Sequence, residues 1–320
     1  MSNNLTTTPL VSVIVNCLNG ERYLKKSLDS IYKQTYENFE IIFWNNGSTD
    51  QSKLIASSYD NKLKLYSSED TVPLGMARNR AIREAKGLYI AFLDVDDWWT
   101  PSKLEKQISR FNNKNIGLVY CDSTIVENNL KYNHFSAVSP FMGKAGHRLL
   151  EANFMTTSSI IYRAETLKSL PIAFRDELSL TVDYELSVRV SFSCEIDYVN
   201  EPLVAILKHK KNHTNKHKKE IIKENAMVLK YFYKEKLHIS CPNEILSFKK
   251  NCLLSETNML LDSGDLVNGL KSLEKVKDFS KKYNALFVIL SIFPSIKIYR
   301  TIKKIWIYLL KFKTMSKLIK

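Results

Sequence analysis

The 320-residue chain lacks the usual phosphate-gripping loops: neither G-x-G-x-x-G nor a Walker-type glycine loop occurs, which excludes an ordinary dinucleotide or P-loop site. Its five cysteines (Cys17, Cys121, Cys194, Cys241 and Cys252) are odd in number and include no C-x-x-C pair. Neither a disulfide framework nor a zinc site is expected, and a reducing compartment fits. The polar stretch Met1 to Pro9 lacks the basic-then-apolar order of a signal peptide, so a cytosolic chain is expected. No apolar run reaches the roughly 20 residues that span a bilayer, because Ala285-Leu-Phe-Val-Ile-Leu-Ser-Ile-Phe293 is cut short by Pro294. Acid is missing altogether from residues 281–320, which hold ten Lys or Arg in a chain of formal net charge +14. Such a tail can meet anionic lipid, nucleic acid or an acidic partner.

What is present is globular: 44% hydrophobic and 25% charged residues suffice for one large or two ordinary domains. Leu10-Val-Ser-Val-Ile-Val-Asn16 reads as a buried strand, a helix follows with Tyr23, Leu24, Leu28 and Ile31 on one face, and Glu40-Ile-Ile-Phe-Trp-Asn45 is the next strand. A βαβ unit of this kind gives parallel strands in a right-handed crossover, so an α/β sheet is expected. Further strands are predicted at 63–66, 88–93, 116–120 and 158–162, with helices at 75–84 and 101–111. The alternation ends near residue 205; residues 208–219 form a Lys/His-rich loop, and the remainder is helical.

Ligands of open parallel sheets bind beyond the carboxyl ends of the strands. The polar residues gather there: Asn16-Cys-Leu-Asn-Gly20, Asn45-Asn-Gly-Ser-Thr-Asp50 and Asp94-Val-Asp-Asp97. The last puts three carboxylates within four residues. Like charges about 4 Å apart repel by roughly 4 kcal/mol at an effective dielectric near 20, so the cluster calls for water, protons or a cation. Asp97 or Thr100 can cap the helix opened by Pro101, but that accounts for one acid only. Hard oxygen ligands on such a loop suit Mg²⁺ or Mn²⁺ bridging to a substrate diphosphate.

Taken together, these runs resemble the inverting glycosyltransferases of family 2, with the GT-A (nucleotide-diphospho-sugar transferase) fold. The resemblance is carried by Val11-Ser-Val-Ile-Val-Asn-Cys-Leu-Asn-Gly20, Leu28-Asp-Ser-Ile-Tyr-Lys-Gln-Thr-Tyr36, Asn46-Gly-Ser-Thr-Asp50, Ala77-Arg-Asn79 and Phe92-Leu-Asp-Val-Asp-Asp-Trp98, in order and spacing. It continues through Thr157-Ser-Ser-Ile-Ile-Tyr-Arg163 and Val182-Asp-Tyr-Glu-Leu186 to Tyr198-Val-Asn-Glu-Pro202, about two thirds of the chain. The resemblance implies a Rossmann-like mixed sheet flanked by helices in residues 1–220, with 1–110 as the nucleotide-sugar half and 111–220 as the acceptor half, and a basic helical extension at 221–320.

It also implies roles. Asp94 and Asp96 stand at the D-x-D motif, with Asp96 or Asp97 holding Mg²⁺ or Mn²⁺ on the donor diphosphate. Asn16, Asn19, Ser48, Arg78 and His209 join Asp94 and Asp96 as donor-binding candidates. Asn46 replaces an Asp that reads the base in many members, which leaves a UDP-sugar only slightly favoured. Asp183 matches the catalytic base, although Val182 stands where members have a first acid; an acid near a helix N-terminus is otherwise commonplace. Trp98 and Trp99 suit sugar stacking or core packing equally. A glycan or lipid-linked acceptor in bacterial surface polysaccharide synthesis follows, and a catalytically weak sugar-nucleotide-binding partner is the alternative.

In the tail, Ile298, Ile302, Ile305, Leu309 and Phe312 share one helical stripe, while Lys297, Arg300, Lys304 and Lys311 share another. This pattern suits an anionic membrane surface at the cytoplasmic face, with Tyr299, Trp306 and Tyr308 as headgroup-level anchors, or an apolar stripe packed on protein. Nucleic acid is disfavoured, since the apolar stripe would stay exposed on a duplex.

Overall fold

The computed structural model describes residues 8–127, 130–209, 212 and 217–305, and these fall into two compact units, the chain passing from one to the other between His217 and Lys218. Trp306, Tyr308, Leu309, Lys311 and Phe312 lie outside the described residues.

The first unit is a curled nine-stranded sheet flanked by helices. It opens with β1 (Val11–Cys17), α1 (Glu21–Tyr32), β2 (Phe39–Asn46), α2 (Ser52–Ser57), β3 (Leu63–Ser68), α3 (Leu74–Glu84) and β4 (Tyr89–Phe92). β1 pairs in parallel with β2 and with β4, and β2 in parallel with β3. Burial on both faces explains their continuous apolar runs. Val11, Val13, Val15 and Cys17 point into a core with Leu24, Leu28 and Ile31 of α1. α3 packs on β1 and β2.

The second half departs from the parallel pattern. After β5 (Trp98–Trp99) and α4 (Lys103–Ile108) come β6 (Ile116–Glu127), β7 (Leu130–Asn133), α5 (Gly146–Glu151), β8 (Ile161–Arg163), α6 (Ala164–Lys168), α7 (Val182–Ser193) and β9 (Glu195–Lys208). β8 runs antiparallel to both β4 and β6, while β9 pairs in parallel with β6 and antiparallel with β5. The strand expected at 158–162 is therefore shorter and later, because Thr157–Ser159 is a 3-10 turn. The β5 pairing joins Trp98 to Ala205 and Trp99 to Val204, which carries the far end of β9 back to the acid turn.

The second unit is helical: α8 (Lys218–Lys234), α9 (Leu237–Ser240), α10 (Pro242–Ser263), α11 (Leu266–Val276) and α12 (Lys281–Ile292), then a helical stretch over 296–305. Leu261, Leu273, Val276, Leu286, Leu290 and Tyr299 form a core, against which Ile296, Ile298 and Ile302 pack. The expected membrane stripe is thus turned inward at Ile298 and Ile302. Tyr299 is no surface anchor either: it is 2% exposed and its hydroxyl donates to Asp262.

Candidate active site

β4 ends against β1, and Leu93 still donates to Ile14, so the following acid turn starts from a fixed strand end. The Asp97 N–H closes the turn onto the Asp94 carbonyl at 3.0 Å. Its three acids then meet three different surroundings.

Asp94 keeps a half-exposed carboxylate whose Oδ1 accepts from Arg78 Nη2 at 3.2 Å. Desolvation pushes its pKa up to about 6, with the negative charges of Asp183 and Asp96 acting in the same direction and Arg78 opposing them. Asp96 Oδ2 lies 3.1 Å from His209 Nε2 and accepts from Asn212 Nδ2 at 2.7 Å. The His209 ring lies against Tyr23 of α1 with centroids 5.0 Å apart. Asp97 is buried, and its two oxygens accept from Ser158 Oγ at 2.6 Å and from the Leu207 N–H at 3.2 Å. Burial, then the neighbouring Asp94 and Asp96 charges, raise its pKa well above the usual carboxylate range.

Both oxygens of Asp97, expected as a metal ligand, accept hydrogen bonds inside the protein, where they tie the acid turn to Ser158 and to the end of β9. Nor does it cap a helix, since α4 begins only after Ser102. The remaining donor set is Asp96 and His209, a hard oxygen and an imidazole. No group of three or more His, Cys, Asp or Glu gathers for a metal among the described residues. A two-donor site fits Mg²⁺ or Mn²⁺, which keep water and complete their shell with substrate phosphate.

Arg78 connects the acid turn to Asp183. It is 2% exposed, lies over the rings of Phe92 and Phe174, and donates through Nη1 to Asp183 Oδ1 as well as through Nη2 to Asp94. Asp183 occupies the first turn of α7 and retains 25% exposure, whereas Val182 beside it is fully buried. A first acid at Val182 would therefore be a core charge.

The approach of α7 to α3 is built by neighbouring residues. Asn79 donates to Phe174 O at 2.7 Å and accepts from Phe174 N at 3.0 Å, and the Gly75 N–H donates to Leu178 O. A Cβ on Gly75 would lie 2.0 Å from Arg175 O, so only glycine admits this contact. Glu185 is buried between Arg175 and Arg189, while Arg189 also donates to the carbonyls of Ile172 and Ala173.

The strand-end asparagines divide. Asn19 adopts φ 54°, accepts from the Thr49 N–H at 2.8 Å and donates its own N–H to Ser48 Oγ at 3.0 Å. Glu21 and Asp50 exchange further bonds with the two loops, so Asn19 and Ser48 staple the β1–α1 loop to the β2–α2 loop. Asn46 donates to Val72 O at 2.8 Å and accepts from Val72 N at 3.2 Å. The amide expected to read the base is thus hydrogen-bonded to the 68–72 segment. Asn16 is different, because both polar atoms of its amide are buried without a partner, as is Trp44 Nε1, its register neighbour on β2. Trp99 is core, donating to Ser158 O, and the face of Trp98 is covered by Lys26 Nζ at 3.0 Å. Asn212 was not among the expected site residues, hidden in a Lys/His run that reads as solvated loop.

Residues 12–170 match the family described as Glycosyl transferase family 2. An uncharacterized glycosyltransferase of Rickettsia typhi is 32% identical over 219 residues, covering 66% of this chain and 67% of that one. The chain belongs to glycosyltransferase family 2. This family-2 enzyme is also 38% identical over 121 residues to the Escherichia coli UDP-Glc:alpha-D-GlcNAc-diphosphoundecaprenol beta-1,3-glucosyltransferase WfgD, covering 38% of this chain and 48% of WfgD. Its fold matches Staphylococcus aureus TarS 1–349 in complex with UDP-GlcNAc, with TM-score 0.65, 20% identity, and coverage of 92% of this chain and 91% of TarS 1–349. The mixed sheet flanked by helices is therefore a GT-A fold with a helical C-terminal region.

Proposed function

We propose that this glycosyltransferase moves a sugar from a nucleotide-diphospho-sugar to an acceptor hydroxyl with inversion at the anomeric carbon, and that Asp183 is the base. The observation that carries this reading is the Arg78 guanidinium shared by Asp94 and Asp183. It holds the carboxylate that ends β4 and the candidate base of α7 on a single cation. Arg78 engages Asp183 at Oδ1, and the acceptor hydroxyl delivers its proton to Oδ2. The acceptor oxygen then bonds to the anomeric carbon while the bond from that carbon to the diphosphate oxygen breaks on the opposite face.

Asp96 and His209 hold Mg²⁺ or Mn²⁺ in this reading. When bound, the ion supplies Lewis-acid neutralisation of charge on the leaving diphosphate. Asn212 orients Asp96, and Asn16 at the end of β1 is the candidate donor-nucleotide contact. A UDP-sugar is favoured, in line with the UDP-GlcNAc held by TarS and the UDP-Glc in the name of WfgD. The undecaprenol-linked acceptor in that name supports a lipid-linked acceptor for bacterial surface polysaccharide, with the enzyme peripheral on the anionic inner face of the cytoplasmic membrane.

The test is titration of a sugar-nucleotide panel with Mn²⁺ and with chelator, followed by transfer assays on Asp183→Asn. Donor binding retained with transfer abolished supports the reading. Unchanged transfer by Asp183→Asn removes the base assignment, and donor binding without transfer by the native protein leaves a sugar-nucleotide-binding partner.

A further inference from the structure

α12 is apolar on two opposite sides. Leu286 and Leu290 are buried in the core of the second unit, with Tyr283 and Phe287 packed beside them. At about 100° per residue, Ala285, Val288, Ile289 and Ile292 fall on the opposite stripe. Val288 is 48%, Ile289 38% and Ile292 64% exposed, and Phe293 at the helix end is 59% exposed. A helix apolar all round belongs in a core or in lipid. With 12 residues α12 is only about 18 Å long at 1.5 Å per residue, against a hydrocarbon thickness of roughly 30 Å, so it can lie in a bilayer interface and cannot cross it.

Basic residues flank this stripe. Lys281 and Lys282 open α12, and Phe293, Pro294 and Ser295 are all that separates it from the helical stretch 296–305. There Ile296, Ile298, Tyr299 and Ile302 turn inward, which leaves Lys297, Arg300 and Lys304 exposed along one side. None of these three enters an ion pair among the described residues.

We propose that the outward stripe of α12, from Val288 to Phe293, is the surface that enters an anionic lipid interface, with Lys297, Arg300 and Lys304 meeting the headgroups. The proposal rests on the peripheral-membrane reading above and replaces the stripe through Ile298 and Ile302 as the contact. Apolar side chains inserted to headgroup depth supply the attachment, and the neighbouring cations select anionic lipid.

The experiment is co-sedimentation of the full chain with phosphatidylcholine vesicles, with and without phosphatidylglycerol. The native protein is expected to bind only the anionic vesicles. The double variant Ile289→Ser, Ile292→Ser should lose at least about ten-fold of that binding, and Lys297→Glu with Arg300→Glu should lose a comparable amount and become insensitive to salt. Val267→Ser, which alters an apolar residue 67% exposed on α11, should bind like the native protein. Anionic binding unchanged by the α12 variant overturns this inference and leaves the membrane reading standing; no binding by the native protein overturns both. A dimer that the α12 variant converts to monomer, with vesicle binding unaffected, assigns the stripe to a second copy and equally overturns it. Donor titration of each variant is read separately, so failure of the transferase assignment is not confused with either result.

Discussion

Arg78 donates from Nη1 to Asp183 and from Nη2 to Asp94, so one buried guanidinium ties the end of β4 to the first turn of α7. Lysine keeps the charge but has no fork with which to reach both acids. Arg78→Lys should therefore lower kcat on the order of a hundred-fold, the cost of a misplaced reacting group, while the donor Kd moves much less. Single-turnover transfer alongside donor titration checks this, and parallel losses in both would point to general unfolding.

Asp96 and Asp97 should separate cleanly. Asp96→Asn should abolish calorimetric Mn²⁺ binding in the presence of donor, and Asn212→Ala, which removes the bond orienting Asp96, should weaken it about ten-fold. Asp97→Asn should leave Mn²⁺ affinity near native but cost about 1–3 kcal/mol in urea unfolding, since an amide cannot accept from both Ser158 and Leu207.

Asn46→Asp restores the acid common in the family, yet a carboxylate cannot donate to Val72 O. The expected result is a loss of about 1–2 kcal/mol of stability with donor preference among UDP-, GDP- and dTDP-sugars unchanged. A switched preference would return Asn46 to the base pocket.

Lys103 is fully buried under the ring of Trp99, 4.1 Å from its centroid, and its Nζ has no hydrogen-bond partner. Desolvation pushes its pKa down to about 8 from the ordinary 10.5. The unfolded chain thus holds this proton more tightly than the folded one. The resulting penalty is full below pH 8 and fades as the pH rises toward 10.5. Lys103→Met should stabilise the protein by about 2 kcal/mol at pH 7, allowing for the lost cation–π contact. The gain should shrink to near zero above pH 10.5, as urea unfolding across that range would register.

The parallel half of the sheet was readable because strands buried on both faces write apolar runs, as in Val13–Val15 and Ile41–Phe43. The other half was less so. β5 has two residues, and β6 continues past Tyr120 through polar Asp122, Ser123 and Thr124, which carry no strand period. Motif spacing singled out Asp94, Asp96, Asp97 and Asp183, but it gave no sign that Asp97 is buried. The deciding bonds come from Ser158 and Leu207, 61 and 110 residues away in sequence. Periodicity likewise found the stripe through Ile298 and Ile302 without revealing that the unit's own core covers it.

Arg78 and Asp183 are 105 residues apart in sequence. On the ribosome, at roughly 5–20 residues per second, the strands and helix that house the cation emerge some 5–20 seconds before its partner acid exists. During that interval the nascent chain carries a guanidinium bound for the interior with only Asp94 to balance it. The pairing of Arg78 with Asp183 thus waits for α7, so a chain stalled before α7 should stay loose around Arg78 and remain open to protease.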